Sequence, residues 1–69
     1  MEFKEGMMVI KRLHGAGVVS EEKGLVKKVS GDRVWLRGDE DMTGDSAFVN
    51  GKKEGVFGFW EEIIISAIQ

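Results

Sequence analysis

The sequence predicts a small all-β domain of five or six strands, and three observations support this fold class. Ten glycines and no proline are spread between short runs of β-branched residues, a composition typical of strands joined by tight turns. Residues 25–37 read as a β-hairpin in which Gly31 and Asp32 form the turn. Three consecutive isoleucines at 63–65 favour a strand, because β-branched side chains lose rotamer freedom in a helix.

The other elements follow the alternation of apolar runs and turn residues along the chain. Asn50 and Gly51 are a strong signal for a hairpin turn between two short strands. The segment 63–68 is predicted to be a closing strand, with a short helical turn near the C-terminus as the alternative. In chain order the predicted elements are a strand at 7–13, a loop at 14–17, a short strand or arm at 18–19, a polar turn at 20–24, the hairpin at 25–37, an acidic loop at 38–45, and strands at 46–49, 54–60 and 63–68.

The hairpin at 25–37 also predicts a surface. With Gly31 and Asp32 as the turn, the predicted pairs are Ser30 with Arg33, Val29 with Val34, Lys28 with Trp35, Lys27 with Leu36 and Val26 with Arg37. Each strand presents alternate side chains to opposite faces, so that Leu25, Val29, Val34 and Leu36 share one face. One face is mainly apolar, and the other carries Trp35 among three cations. We expect this second face, called here the basic-aromatic face, to point away from the main core. Its four members are Lys28, Arg33, Trp35 and Arg37.

Three side chains need particular attention in this pattern. Lys27 falls on the apolar face of the hairpin, so either its stem reaches solvent from the end of a barrel or a β-bulge turns it outward. Phe57 and Phe59 alternate with Gly58 and are expected to pack in the core. Gly58 would then mark a bulge or a close approach of the backbone.

Composition limits the kinds of site that the chain can build. The chain has 69 residues, and we expect all of it, residues 1–69, to form one domain whose core is barely sufficient for stability. There is no cysteine, which excludes disulfides and thiolate zinc sites, and the single His14 cannot form a multi-histidine metal site. We therefore expect no cofactor, no metal site and no catalysis, and self-association as the means of stabilisation.

Charge and hydropathy limit the possible partners and location. No apolar run approaches the length that spans a membrane, and the N-terminus is charged, so we expect a cytoplasmic protein without a membrane segment. The net charge is −2, with eight Lys/Arg against five Asp/Glu in residues 1–37 and two against seven in residues 38–69. Duplex nucleic-acid binders usually carry a basic excess, so generic DNA binding is disfavoured.

The acidic loop at 38–45 invites comparison with a calcium-binding loop. Its alternating oxygen-bearing residues and its glycine fit the start of such a loop. The twelfth position, however, is Asn50 instead of a bidentate glutamate, and no flanking helices are predicted. A solvated loop is the favoured interpretation, with weak binding of a divalent cation as the alternative.

Several segments together resemble small SH3-like barrels. These are Gly-Met-Met-Val-Ile-Lys at 6–11, Gly-Leu-Val-Lys-Lys-Val at 24–29, Gly-Asp-Arg-Val-Trp-Leu at 31–36 and Phe-Trp-Glu-Glu-Ile-Ile-Ile at 59–65. The resemblance implies a five- to six-stranded barrel and a role in RNA, ribosome, peptide or assembly contacts. The chain has no tyrosine, whereas barrels that bind proline-rich ligands use a tyrosine groove. In style, the chain is also similar to small phage-encoded accessory proteins.

These observations predict a non-enzymatic module that forms a dimer and binds a protein partner. The partner would bind the basic-aromatic face, because exposed aromatic side chains mark interfaces. Two alternatives remain. The same face could bind a nucleotide or single-stranded RNA, or Trp35 packs under a loop or against Val26, with the cations as a solvated rim. Self-association is assigned to a closing strand that is apolar on both sides, through Ile63, Ile64, Ile65 and Ile68.

Overall fold

The computed structural model describes residues 3–39 and 46–67, which form a closed all-β barrel of six strands. Each strand pairs antiparallel with the next, and the last pairs with the first. This architecture confirms the predicted fold class and matches a small SH3-like barrel. The strands are β1 (Met8–Gly15), β2 (Val18–Ser30), β3 (Arg33–Leu36), β4 (Phe48–Val49), β5 (Lys52–Glu54) and β6 (Trp60–Ile65).

The core is built from one or two buried side chains on each of five strands. Phe3, Met7 and Val29 pack against its edge. Among the described residues, no helix is long and apolar enough to cross a membrane. The core side chains are Val9 on β1, Val26 on β2, Val34 and Leu36 on β3, Phe48 on β4 and Ile63 on β6.

The first hairpin is much longer than predicted. Residues 14–17 were expected to form a loop, but β1 runs to Gly15 and β2 starts at Val18, so that only Ala16 and Gly17 form the turn. Their φ values of 52° and 74° are those of a two-residue hairpin turn. The predicted polar turn at 20–24 is wrong, because these residues continue β2 and pair with β1 along their whole length.

The β2–β3 hairpin confirms the predicted turn and most of its register. The structure pairs Ser30 with Arg33, Val29 with Val34, and Lys28 with Trp35. The register then shifts, so that Val26 pairs with Leu36 and the exposed Lys27 lies at the irregularity. Of the two alternatives expected at Lys27, the structure shows the β-bulge. As a consequence, Val26 points into the core instead of Leu25.

The second half of the chain confirms one turn and corrects one strand. Asn50 and Gly51 form the predicted turn, with φ values of 53° and 81°. The strand predicted at 54–60 is wrong, because β5 ends at Glu54 and residues 55–59 connect it to β6. The C-terminal segment is a strand from Trp60 to Ile65 and not a helical turn. Ile68 and residues 40–45 of the acidic loop lie outside the described residues.

Candidate functional site

The structure corrects the central member of the basic-aromatic face. Trp35 lies outside the main core cluster, as expected, but its side chain is only 5% exposed. Lys28 lies over it, with Nζ 5.4 Å from the centre of the ring. Arg33 and Arg37 are exposed. The expectation of an open tryptophan surface is therefore wrong, whereas partner binding by the three cations stays a prediction.

The strand assigned to self-association is enclosed at both edges over its first half. β6 pairs with β1 on one side. On the other side β5 covers Trp60–Glu62, and the Ile63 N–H donates to the Gly51 carbonyl at 2.8 Å, so this part of β6 has no free edge for a second chain. Ile63 is 2% exposed and belongs to the core, which makes its predicted role in self-association wrong. Ile64 is half-buried and Ile65 is exposed. Contacts through these two side chains stay a prediction, and Ile68 lies outside the described residues.

An exposed sheet extends beyond the barrel core. It consists of the outer parts of β1 and β2, together with β5 and the start of β6. Residues 10–23, all of them described, include no buried side chain. We call this part of the molecule the extended sheet, and it holds both the charged and the aromatic groups described below.

Cations on β1 are paired with acids on the strands at either side. Lys11 Nζ lies 2.6 Å from Glu22 Oε1 on β2 and 3.8 Å from Glu61 Oε2 on β6. Arg12 Nη2 lies 2.6 Å from Glu21 Oε2 on β2, and Arg12 Nη1 lies 3.4 Å from Glu62 Oε1 on β6. These pairs explain why the polar segment 20–24 is a strand, since cross-strand pairs of opposite charge stabilise a sheet. They also engage the β1 cations, which disfavours phosphate binding at this surface.

The ion pair between Lys11 and Glu22 changes the titration of both groups. Its hydrogen bond, together with the charge of Lys11, lowers the pKa of Glu22 below its ordinary value of 4.5. The hydrogen bond from Lys11 to Glu22 is also the main cause that raises the pKa of Lys11 above 10.5. Both shifts favour the charged forms, so the pair is fully ionised at neutral pH.

Glu22→Gln is expected to lower the melting temperature slightly at pH 7 and not at all in acid. Because the folded pKa of Glu22 is depressed, the stability from its carboxylate is present above about pH 4.5 and is lost as the pH falls through the folded value. Thermal melts between pH 2 and 7 check this, with Glu54→Gln as the matched control, since Glu54 makes no ion pair in the described part of the chain. A difference between wild type and Glu22→Gln that persists in acid would contradict the expectation.

Aromatic side chains lie next to this charged region. The rings of His14 and Trp60 stack with centroids 4.0 Å apart and planes inclined by 6°, since the two residues are opposite each other on β1 and β6. Lys52 Nζ is 5.7 Å from the Trp60 ring centre, and His14 Nε2 is 3.5 Å from Glu62 Oε1. No sequence motif predicts this stack, because its two residues are distant in sequence and are brought together only by the pairing of β1 with β6.

Exposed apolar side chains gather at the end of the extended sheet. Gly15 pairs with Val18 across the hairpin. The Phe59 ring lies against Gly15 so closely that a Cβ on Gly15 would overlap with it. Of the eight large apolar side chains that are exposed in the described part, six belong to this end. We call them the apolar tip: Leu13, Val18, Val19, Val56, Phe57 and Phe59.

Phe57 is the most unusual residue of the apolar tip. It was predicted to pack in the core, but it is 95% exposed. It occupies a turn in which the Phe59 N–H donates to the Val56 carbonyl at 3.0 Å. Its φ of 55° lies in the left-handed region, and Gly58 follows at 80°, nearly the same values as the Asn50 and Gly51 turn. A bulky side chain in this conformation costs on the order of 1–2 kcal/mol.

Phe59 was also predicted to pack in the core, and it too is exposed. It contacts Gly15 at the end of the sheet instead of the core cluster. The sequence held one signal for this arrangement, because Gly58 after Phe57 suits a turn as well as the predicted bulge. The alternate spacing of the two phenylalanines favoured a strand with both rings in the core, and that interpretation is wrong.

No cluster of three or more His, Cys, Asp or Glu side chains suited to a metal ion is present within residues 3–39 and 46–67. No protein-family model, curated protein or solved structure matches the chain. The chemistry of the surfaces described above is therefore the basis for assigning a function.

Proposed function

We propose that this chain is a non-enzymatic protein-interaction module of the cytoplasm that self-associates and binds a protein partner through the apolar tip. The observation that carries the proposal is Phe57, which combines 95% exposure with a left-handed backbone. Neither property stabilises the isolated chain. A backbone outlier at an exposed aromatic residue is a reason to infer function at that position.

The apolar tip has the composition of an interface centre. Interfaces concentrate binding energy in a few aromatic anchors that are surrounded by smaller apolar contacts. Phe57 would be the anchor, with Val56 and Phe59 of the same connection as the surrounding apolar contacts. The short β5–β6 connection supports this role, because Gly55 N–H donates to the Phe59 carbonyl at 2.8 Å and closes the loop. A loop held in this way loses little conformational entropy on binding.

The exposed arginines of the basic-aromatic face supply a second contact with the partner in this proposal. Arg33 and Arg37 are exposed and make no ion pair within residues 3–39 and 46–67, in contrast to the paired cations on β1. They would bind an acidic segment of the protein partner. The same observation favours a second candidate function, the binding of a nucleotide or single-stranded RNA. A non-enzymatic binding role also fits the resemblance to small phage-encoded accessory proteins.

Phe57→Asn is expected to abolish partner capture while making the chain more stable. Asparagine adopts the left-handed conformation readily, so relief of strain raises stability by about 1 kcal/mol, or about 4–8 °C in melting temperature for a domain of this size. The measurement is capture of proteins from nuclease-treated cell lysate by the immobilised chain, together with a thermal melt. Val49→Thr, which changes an exposed valine away from the tip, is the matched control.

Capture by Phe57→Asn at the wild-type level would overturn the role of the apolar tip. Capture that disappears after nuclease treatment, or that depends on Arg33 and Arg37 but not on Phe57, would favour the nucleotide or RNA candidate. Such binding would also weaken steeply with added salt.

A further inference from the structure

β2 has a free edge along its first half. Residues 18–24 pair with β1 on one side, whereas pairing with β3 on the other side begins only at Val26. Within the described ranges no strand covers that second side of 18–24, and residues 18–23 are exposed. A free strand edge presents unpaired N–H and C=O groups and is a template for pairing with another chain.

The register determines which backbone groups point outward. Gly15 and Val18 flank a two-residue turn, so they form a hydrogen-bonded pair, and hydrogen-bonded pairs alternate with non-bonded pairs along the hairpin. The groups of Val19, Glu21 and Lys23 therefore point away from β1. The next odd-numbered residue follows the same pattern, since the outward carbonyl of Leu25 accepts the Arg37 N–H at 2.8 Å.

We propose that a second copy of this chain pairs antiparallel with this edge, with Glu21 opposite Glu21 of the partner subunit. Glu21 is the midpoint of the free segment 18–24, so a two-fold axis at this residue lets the two copies overlap along its full length. Val19 then lies opposite Lys23 of the partner subunit. In each copy, three residues have backbone groups that point to the free edge. They form three hydrogen-bonded pairs with the partner subunit, and each pair contributes two hydrogen bonds, which gives six between the subunits. The proposal rests on the proposed self-association and is independent of Phe57.

The charges along the edge fit this pairing. Like charges opposite each other destabilise a sheet, but each Glu21 is already held by Arg12 of its own chain, with Arg12 Nε 2.7 Å from Glu21 Oε2. Lys23 of the partner subunit is two positions away from the opposite Glu21 and shares its face of the sheet. The acids at the axis are therefore surrounded by cations from both copies, and Val19 on the same face becomes covered.

This interface leaves the apolar tip accessible at its centre. Phe57 follows β5 and precedes β6, and β6 lies on the opposite side of β1 from the free edge of β2. A dimer through β2 would therefore present two Phe57 side chains to partners. Dimerisation and partner binding can consequently fail separately.

Single cysteine variants test the pairing directly, because the natural chain has no cysteine. Glu21→Cys is expected to form a disulfide-linked dimer under oxidised glutathione, since opposite residues in a hydrogen-bonded pair have Cα atoms about 5.5 Å apart. Glu22→Cys is the matched control. The two copies of position 22 would be about 8 Å apart, which is too far for a disulfide. Equal cross-linking of the two variants, or cross-linking of Glu22→Cys alone, would overturn this register.

A backbone variant tests the same edge without cysteine. Lys23→Pro removes an N–H that points away from β1, so it breaks no bond within the hairpin. It removes two of the six proposed intersubunit bonds and is expected to weaken the dimer about tenfold or more in sedimentation experiments. Lys23→Ala keeps the N–H and controls for the side chain. A dimer unaffected by Lys23→Pro would refute the β2 interface, whereas a strictly monomeric wild type would refute self-association itself.

Discussion

Trp35→Ala is expected to lower the free energy of unfolding by about 3–5 kcal/mol, the range for removing a buried aromatic side chain. Trp35 is 5% exposed and lies on β3. A chain of 69 residues has a total stability of roughly 3–10 kcal/mol. The variant would therefore be close to unfolded at room temperature. Urea denaturation followed by circular dichroism measures the change.

The two exposed arginines supply the controls for this variant. Arg33→Ala and Arg37→Ala are expected to change stability by no more than about 0.5 kcal/mol, because both side chains are exposed and make no ion pair among the described residues. If Trp35→Ala were as stable as wild type and lost partner capture, the tryptophan would be a binding platform, as its place in the hairpin first indicated. Unfolding of Trp35→Ala would assign the ring to stability.

Phe48→Ala is expected to have an effect of similar size, also about 3–5 kcal/mol. Phe48 is 1% exposed and is among the largest fully buried side chains. It lies opposite Val34, and Lys53 Nζ is 4.7 Å from the centre of its ring. Removal of the ring leaves a cavity in a core of six side chains and also removes this cation contact.

Val49→Ala is the matched control for Phe48, because it is the next residue of β4 and its side chain is exposed. It is expected to shift the urea midpoint only slightly. A Phe48→Ala variant that lost less than about 1 kcal/mol would show that the core collapses around the missing ring, and that β4 contributes little to the barrel. The comparison within one two-residue strand separates burial from strand propensity.

The parts of the fold that the sequence predicted well depend on local chemistry. Asn50 and Gly51 form a turn because both adopt positive φ readily, and Gly31 does so at the β2–β3 turn. Alternation along the second hairpin placed Val29 and Val34 correctly opposite each other. The conflict at Lys27 correctly indicated that its side chain leaves the core face, because a charged side chain does not face a small core without a partner; of the two expected ways, the structure shows the bulge.

The first hairpin was not predictable in the same way. Its polar segment at 20–24 has the composition of a turn, but its acids are stabilised as a strand by the β1 cations. Lys11 and Arg12 also contact Glu61 and Glu62 on β6, far away in sequence. Such pairs form only once three strands are in register, so a window of neighbouring residues does not contain the information.

The candidate site shows the same limit in the exposure of two aromatic residues. Trp35 was placed outside and is buried, whereas Phe57 was placed inside and is exposed. Period-two alternation assigns a side chain to a face of a strand, but it does not say what covers that face. For Phe57 the predicted secondary structure was wrong, since residues 55–59 form a connection instead of a strand.

Local sequence features were sufficient for the all-β class, the turns at Gly31 and at Asn50–Gly51, and the register near Gly31, because backbone preference and side-chain alternation act over a few residues. The closure of the barrel by β1 and β6, the free edge of β2 and the gathering of the apolar tip were decided by tertiary pairing. Each of these brings together residues from distant segments. Exposure is a property of such packing and not of a residue's neighbours in sequence, which is why Phe57 and β2 became the functional candidates only in the folded chain.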